Sequence, residues 1–176
     1  MRILGIDPSY KRTGWCVIET QFDGRFIVLK AGSIPLSTYK SKKILPELSE
    51  GIGIATIADE IRAIVAVESL DVVAVEKAPF MVHAGAGLLQ QVLGAIKATV
   101  CSYVGVYKEL YPVTVKKLVS GSGKAEKKQL AAAVENRLAE LWEFDNYDES
   151  DACAIAMAYW IDVTQQNDDN GHTRSN

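Results

Sequence analysis

Four carboxylates in this chain occupy places where a negative charge has no ready structural use. Asp7 closes the apolar run Ile3-Leu4-Gly5-Ile6, and Glu76 closes Val72-Val73-Ala74-Val75. Asp148 and Asp151 stand at the mouth of the small, apolar stretch from Ala152 to Ala158. A charge at the end of a buried strand is costly unless it is paired or holds a cation. At i and i+3, Asp148 and Asp151 share one face of a helix start, where the helix dipole favours carboxylates by about 0.3–1 kcal/mol each. Helix capping is the competing use of Asp148-Glu149-Ser150-Asp151. Capping accounts for one acid, but not for two together with two strand-end acids. Four converging carboxylates repel one another, and some would protonate unless cations neutralise them. Two divalent ions, Mg²⁺ with Mn²⁺ as substitute, held about 3.5–4 Å apart would stabilise the attacking and leaving oxygens of a phosphodiester displacement. With three scattered cysteines and only His83 and His172, a zinc site of Cys and His is disfavoured, so the ligands are expected to be oxygens.

The elements that must position these acids follow from periodicity. Strands are expected over 2–7, 14–19 and 26–29, with Pro8 to Thr13 as a hairpin connection and Asp23-Gly24 as a turn. The run 34–53, with Pro35, Pro46, Gly51 and Gly53, reads as a long connection. Helical spacing of Ile54, Ile57, Ile61, Ile64 and Val65 predicts a helix over 52–68. A buried strand over 71–76, a helix over 84–104 and a short strand within 104–110 follow. Helices over 124–142 and 149–163 complete the fold, and the polar tail 165–176 is expected to be disordered. The order β-β-β-α-β-α-β-α-α implies an α/β fold with a five-stranded mixed sheet, its second strand antiparallel, and helices on both faces. In such sheets ligands bind at the C-terminal strand ends, where Asp7 and Glu76 sit.

The chain has 176 residues, 48% of them hydrophobic, and a net charge of −3, which fits one globular domain over 1–164 and gives no global basic field. Basic residues instead cluster locally. Lys116, Lys117, Lys124, Lys127 and Lys128 stand against the single acid Glu126, and a second group is Lys40, Lys42 and Lys43. A solvated face is one use of such a run. Gly121-Ser122-Gly123 interrupts it as a loop leading into a helix, which suits contact with a phosphate backbone. No apolar run reaches a membrane-spanning length, and the apolar part of the N-terminus is too short for a signal peptide, so an intracellular, cytoplasmic chain is expected. Cys16, Cys101 and Cys153 are expected to be buried small hydrophobes.

Gly5-Ile6-Asp7-Pro8 followed by Thr13-Gly14-Trp15 resembles the opening of RuvC Holliday junction resolvases. Val75-Glu76-Lys77-Ala78-Pro79-Phe80 resembles their second acidic segment. Tyr111-Pro112, Val115-Lys116 and Gly121 to Lys127 resemble their basic segment, and Asp148-Glu149-Ser150-Asp151-Ala152 with Ala154-Ile155-Ala156 resembles their closing motif. The four motifs run in order from residue 2 to about 160. The resemblance implies an RNase H-like fold, a homodimer, and Mg²⁺-dependent paired nicking of four-way DNA junctions, with branch-migration machinery as a further partner. It makes Asp7, Glu76, Asp148 and Asp151 the metal ligands and Lys127 the active-site lysine. It makes Lys116 a DNA-binding residue, with Lys117, Lys124 and Lys128 beside it, and Phe80 the aromatic at the junction centre. Ser9, where the family more often has Gly, and the added Pro79 mark a divergent or phage-type member, for which relaxed selectivity among branched DNAs is an alternative. Two other readings compete. A non-catalytic junction-binding module would also use these surfaces. An actin-like or sugar-kinase ATPase shares the opening strand but needs two such domains, beyond this chain's length.

Overall fold

The computed structural model describes residues 1–35, 46–78 and 86–172. Five strands form one sheet in the order β3-β2-β1-β4-β5: β1 (Arg2–Asp7), β2 (Arg12–Thr20), β3 (Phe26–Pro35), β4 (Val72–Glu76) and β5 (Val106–Leu110). β2 runs antiparallel to both β1 and β3, while β1, β4 and β5 are parallel. The mixed sheet with one reversed strand is therefore as expected.

Strand alternation divides the core in two. Ile3 of β1 and Val72 and Ala74 of β4 point to one face. There they meet α3 (Pro112–Ser120), α4 (Lys127–Glu135) and α5 (Tyr147–His172) through Val115, Leu130 and the run 152–159. Leu4 and Ile6 of β1 and Val73 and Val75 of β4 point to the other. That face is covered by α1 (Pro46–Val67) and α2 (Ala86–Val100) through Ile57, Ile61, Val92 and Ile96. Both faces of β1 and β4 are buried, which is why these strands read as unbroken apolar runs.

Several boundaries differ from expectation. α1 begins six residues before 52, so Gly51 and Gly53 lie inside a helix rather than a loop. β3 extends to Pro35 as a full partner of β2. The segment 112–120 is a helix of its own, ended by Gly121 at φ 81 in the left-handed conformation that glycine adopts without steric cost. The helix expected over 124–142 stops at Glu135. Leu138 instead forms a bridge to Phe26, fixed by Phe26 N–H to Arg137 O at 3.1 Å and Ala139 N–H to Phe26 O at 2.8 Å. Leu138 and Trp142 still pack on the core, so their apolar spacing served burial without helical geometry. α5 runs on to His172, into the stretch expected to be disordered. Cys16 and Cys153 are buried, but Cys101 is exposed. Among the described residues no helix is long and apolar enough to cross a membrane.

Candidate active site

Asp7 and Glu76 continue the faces of the strands they end. Asp7 follows Ile3 and Gly5 at period two, and Glu76 follows Val72 and Ala74, so both carboxylates turn to the face covered by α5. Ile6 stands opposite Val75 in the parallel register, and one residue further on Asp7 comes level with Glu76. Two neighbouring strand ends thus present their acids side by side.

α5 supplies the other two acids because glycine lets it approach the sheet. A Cβ on Gly5 would lie 2.0 Å from the backbone oxygen of Ala152, and a Cβ on Gly14 would lie 2.1 Å from that of Asp148. Gly14 is the cross-strand partner of Asp7. The first turns of α5 therefore rest directly on bare backbone beside the strand-end acids. Capping of this helix falls to another residue. Asn146 Oδ1 accepts the backbone N–H groups of Asp148 (3.0 Å) and Glu149 (3.3 Å). Its side-chain amide donates to Glu149 Oε1 at 3.0 Å, which explains the burial of Glu149. With the cap made by Asn146, capping does not account for Asp148 or Asp151.

Lys127 opens α4, and its ammonium lies 3.0 Å from Asp151 Oδ2. That hydrogen bond holds the lysine above its ordinary range. The capping box of α4, made by Glu126 and Gln129, fixes the helix start that carries it. The second oxygen, Asp151 Oδ1, is buried with no hydrogen-bond partner. Burial, reinforced by the charges of Glu76 and Asp151, pushes Asp7 up to about 7 against an opposing pull from Lys127. Burial and the charge of Asp151 likewise push Glu76 up to about 7, while Lys116 and Lys127 pull it down. Carboxylates crowded this way lack positive charge.

A cavity of about 270 Å³ is lined by Asp7, Glu76, Lys116, Lys127 and Asp151, with Pro112, Val115 and Leu130 as its apolar wall. The all-carboxylate donor set and the orphaned Asp151 Oδ1 fit a hard divalent cation. Among the described residues, no three His, Cys, Asp or Glu side chains close into a ligand cage as they stand. The acids converge on one cavity with Lys127 occupying part of Asp151. Asp148 stands beside this group, contributing to the charge felt by Asp7.

Of the sequence-predicted residues, the fold gathers Asp7, Glu76, Asp148, Asp151, Lys127 and Lys116. Lys117, Lys124 and Lys128 are exposed and do not line the cavity. Phe80 and the lysines at 40, 42 and 43 lie outside the described residues. Sequence reasoning passed over Arg12, whose Nε is 3.9 Å from Asp148 Oδ2. Its signal was its place at the start of β2, across the hairpin from Asp7.

Residues 3–159 match the family described as crossover junction endodeoxyribonuclease RuvC. A protein of that name from Sulfurovum sp. (strain NBC37-1) is 35% identical over 161 residues, covering 90% of this chain and 94% of its own. One from Helicobacter pylori (strain G27) is 30% identical over 160 residues, covering 90% and 96%. Thermus thermophilus RuvC, solved in complex with a Holliday junction substrate, superposes with a TM-score of 0.76 at 20% identity, covering 94% of this chain and 96% of that one. At that identity the superposition speaks for the RNase H-like fold. The family match spans all four acids and the fold that brings them together, and the chain belongs to the RuvC family of crossover junction endodeoxyribonucleases.

Proposed function

We propose that this protein resolves four-way DNA junctions in the bacterial cytoplasm by paired, symmetric nicks, using divalent cations held by Asp7, Glu76, Asp148 and Asp151. The observation that carries the reading is the buried, unpartnered Asp151 Oδ1 on one cavity with two acids that burial and neighbouring charge push up to about 7. A pair of Mg²⁺ ions bound there would supply an activated water and a hold on the leaving oxygen. The protein's own side chains do the rest. Lys127, on a helix that carries none of the four acids, donates to a non-bridging oxygen of the scissile phosphate and offsets charge as it builds. Lys116, on the cavity wall, holds the same strand. Lys117, Lys124 and Lys128 lie on the exposed flank and contact neighbouring phosphates, fixing register without reading sequence. Phe80 stacks at the junction centre.

A labelled four-way junction mixed with protein, with and without Mg²⁺, tests this. Binding in both conditions and symmetric nicks only with Mg²⁺ or Mn²⁺ are expected. Ca²⁺ should support binding better than cutting. Binding without nicking under every metal would replace the enzyme by a binding module. Equal cutting of three-way and flap substrates would replace the resolvase by a relaxed branched-DNA nuclease.

Each chain carries one set of these four acids, so paired nicking of a two-fold junction requires a homodimer. The exposed face of α2 supports this. Gly87, Gln91, Gly94 and Ala98 recur at spacings of four and three on its outer side, and a Cβ on Gly87 or Gly94 would meet nothing within 4 Å. Gly87, Gly94 and Ala98 there let a second α2 pack closely. Gly94→Arg should therefore yield a monomer by light scattering that nicks one strand without coupling to the other. A Gly94→Arg protein that stays dimeric would remove α2 from the interface. A branch-migration complex is the further partner this reading implies.

A further inference from the structure

We propose that Tyr111, with Lys77 laid over its ring, seats the nucleotide next to the scissile phosphate: the ring stacks on the base and the ammonium meets the flanking phosphate. This rests on the junction-cutting reading above. It adds two residues that lie outside the acidic cluster and the lysine run.

The parallel pairing of β4 and β5 places Glu76 opposite Leu110. One residue on, the Lys77 backbone N–H donates to Leu110 O at 2.8 Å. Lys77 and Tyr111 therefore leave the sheet side by side, each directly after a strand end. Lys77 Nζ sits 4.8 Å from the centroid of the Tyr111 ring. Tyr111 is also fixed from the other direction. Its carbonyl accepts the N–H groups of Thr114 and Val115, the first turn of α3. The next residue, Pro112, forms part of the cavity wall. Tyr111 nevertheless remains 54% exposed and joins neither core cluster.

An aromatic side chain tied down on both backbone sides, held by a cation and left open to solvent is arranged as a contact surface. Its position selects the ligand. Lys77 follows Glu76 and Tyr111 precedes Pro112, both of which line the acidic cavity, and Lys77 itself lines the neighbouring cavity with Gln90, Gly94 and Glu109, so a strand held at Glu76 that continues toward that side meets the pair. A π-face accepts any base, so the platform positions without imposing sequence. Lys77 completes the pair with the charge that a flanking phosphate requires. The ring and the ammonium together recognise one nucleotide unit, base and phosphate.

A four-way junction carrying 2-aminopurine beside the cut, bound in Ca²⁺ to suppress cleavage, tests this. Fluorescence should be quenched on binding by wild type and by Tyr111→Phe, and not by Tyr111→Ala or Tyr111→Leu. In Mg²⁺, kcat/KM should fall about 10- to 100-fold in the Ala and Leu variants. Lys77→Ala should lower the slope of log affinity against log salt by about 0.9, one phosphate contact. Tyr111→Leu keeps apolar bulk without an aromatic face, so full quenching and full activity in that variant would reduce the ring to packing and overturn the proposal while junction cutting stands. A wild-type protein that neither binds nor cuts the junction would overturn both.

Discussion

Replacing Asp7 by Asn should abolish junction cleavage, leave junction binding near wild type, and make the metal-free protein more stable. Asp7 is central to the site, level with Glu76 and beside Gly14, on whose backbone α5 rests. Asn keeps the shape and removes the charge that a cation requires. A loss of at least about 10³-fold in kcat is expected, because both the held cation and the preorganised field depend on it. The stability gain has a defined sign. Burial and neighbouring carboxylates hold Asp7 at about 7, against an ordinary 3.8. Between those values the folded chain keeps a proton that the unfolded chain has released, so stability falls as pH rises. Below about pH 4 both states are protonated and the substitution changes little. Above about pH 7 it relieves the full cost, on the order of 4 kcal/mol. Denaturant melts of the metal-free proteins at pH 4 and pH 8 check this, since the gap should open only at the higher pH. Saturating Mg²⁺ should narrow the gap, adding about 2.7 kcal/mol to wild type at a hundred times Kd and about 4.1 kcal/mol at a thousand times, and little to the variant. Wild-type cleavage by Asp7→Asn would refute the metal-site assignment.

Gly14→Ala should damage the enzyme nearly as much without touching a charged group. The new Cβ would lie 2.1 Å from Asp148 O and 2.5 Å from its carbonyl carbon. Both are backbone atoms, so no side chain can rotate away and α5 must move. Overpacking of this kind costs about 1–3 kcal/mol. The larger effect falls on geometry, because α5 carries Asp148 and Asp151 as a rigid unit. A displacement of about 1 Å between reacting groups can cost on the order of 100-fold in rate. Gly14→Ala should thus melt somewhat lower, need more Mg²⁺ for half-maximal activity, and cut about 100-fold more slowly. The opposite pattern, a lower melting temperature with undiminished kcat, would show that α5 adjusts without disturbing its acids.

These two cases also separate what was readable in the sequence from what was not. Asp7 and Glu76 were legible because strand burial is written in unbroken apolar runs, and a charge ending such a run stands out. Lys127 and Lys116 were legible as members of a basic run, but not in their roles. Only the docking of α3 and α4 turns those two inward and leaves Lys117, Lys124 and Lys128 outside. α3 itself was missed. It is a nine-residue helix with only Val115 and Val119 fully buried, too short for its periodicity to rise above the lysines around it. The extent of α4 was misjudged because Leu138 and Trp142 are apolar for the core's sake and carry no record of backbone shape. The close approach at Gly5 and Gly14 was invisible for the same reason. A glycine in a strand says that something comes near, but not what.

The site also has an order of assembly. Its members lie between residue 7 and residue 151, and α5, which completes it, packs across β1 and β2 at the beginning of the chain. On the ribosome, Asp7 emerges first of the four acids and Asp151 last. Until α5 docks, the sheet face at Gly5 and Gly14 is bare and Asp148 and Asp151 are apart from the strand-end pair, so the repulsion of all four acids is met only in the closing step of folding. A nascent chain therefore cannot cut DNA, however much of its sheet has formed. The nuclease becomes competent only after the helix that carries Asp148 and Asp151 has emerged and docked.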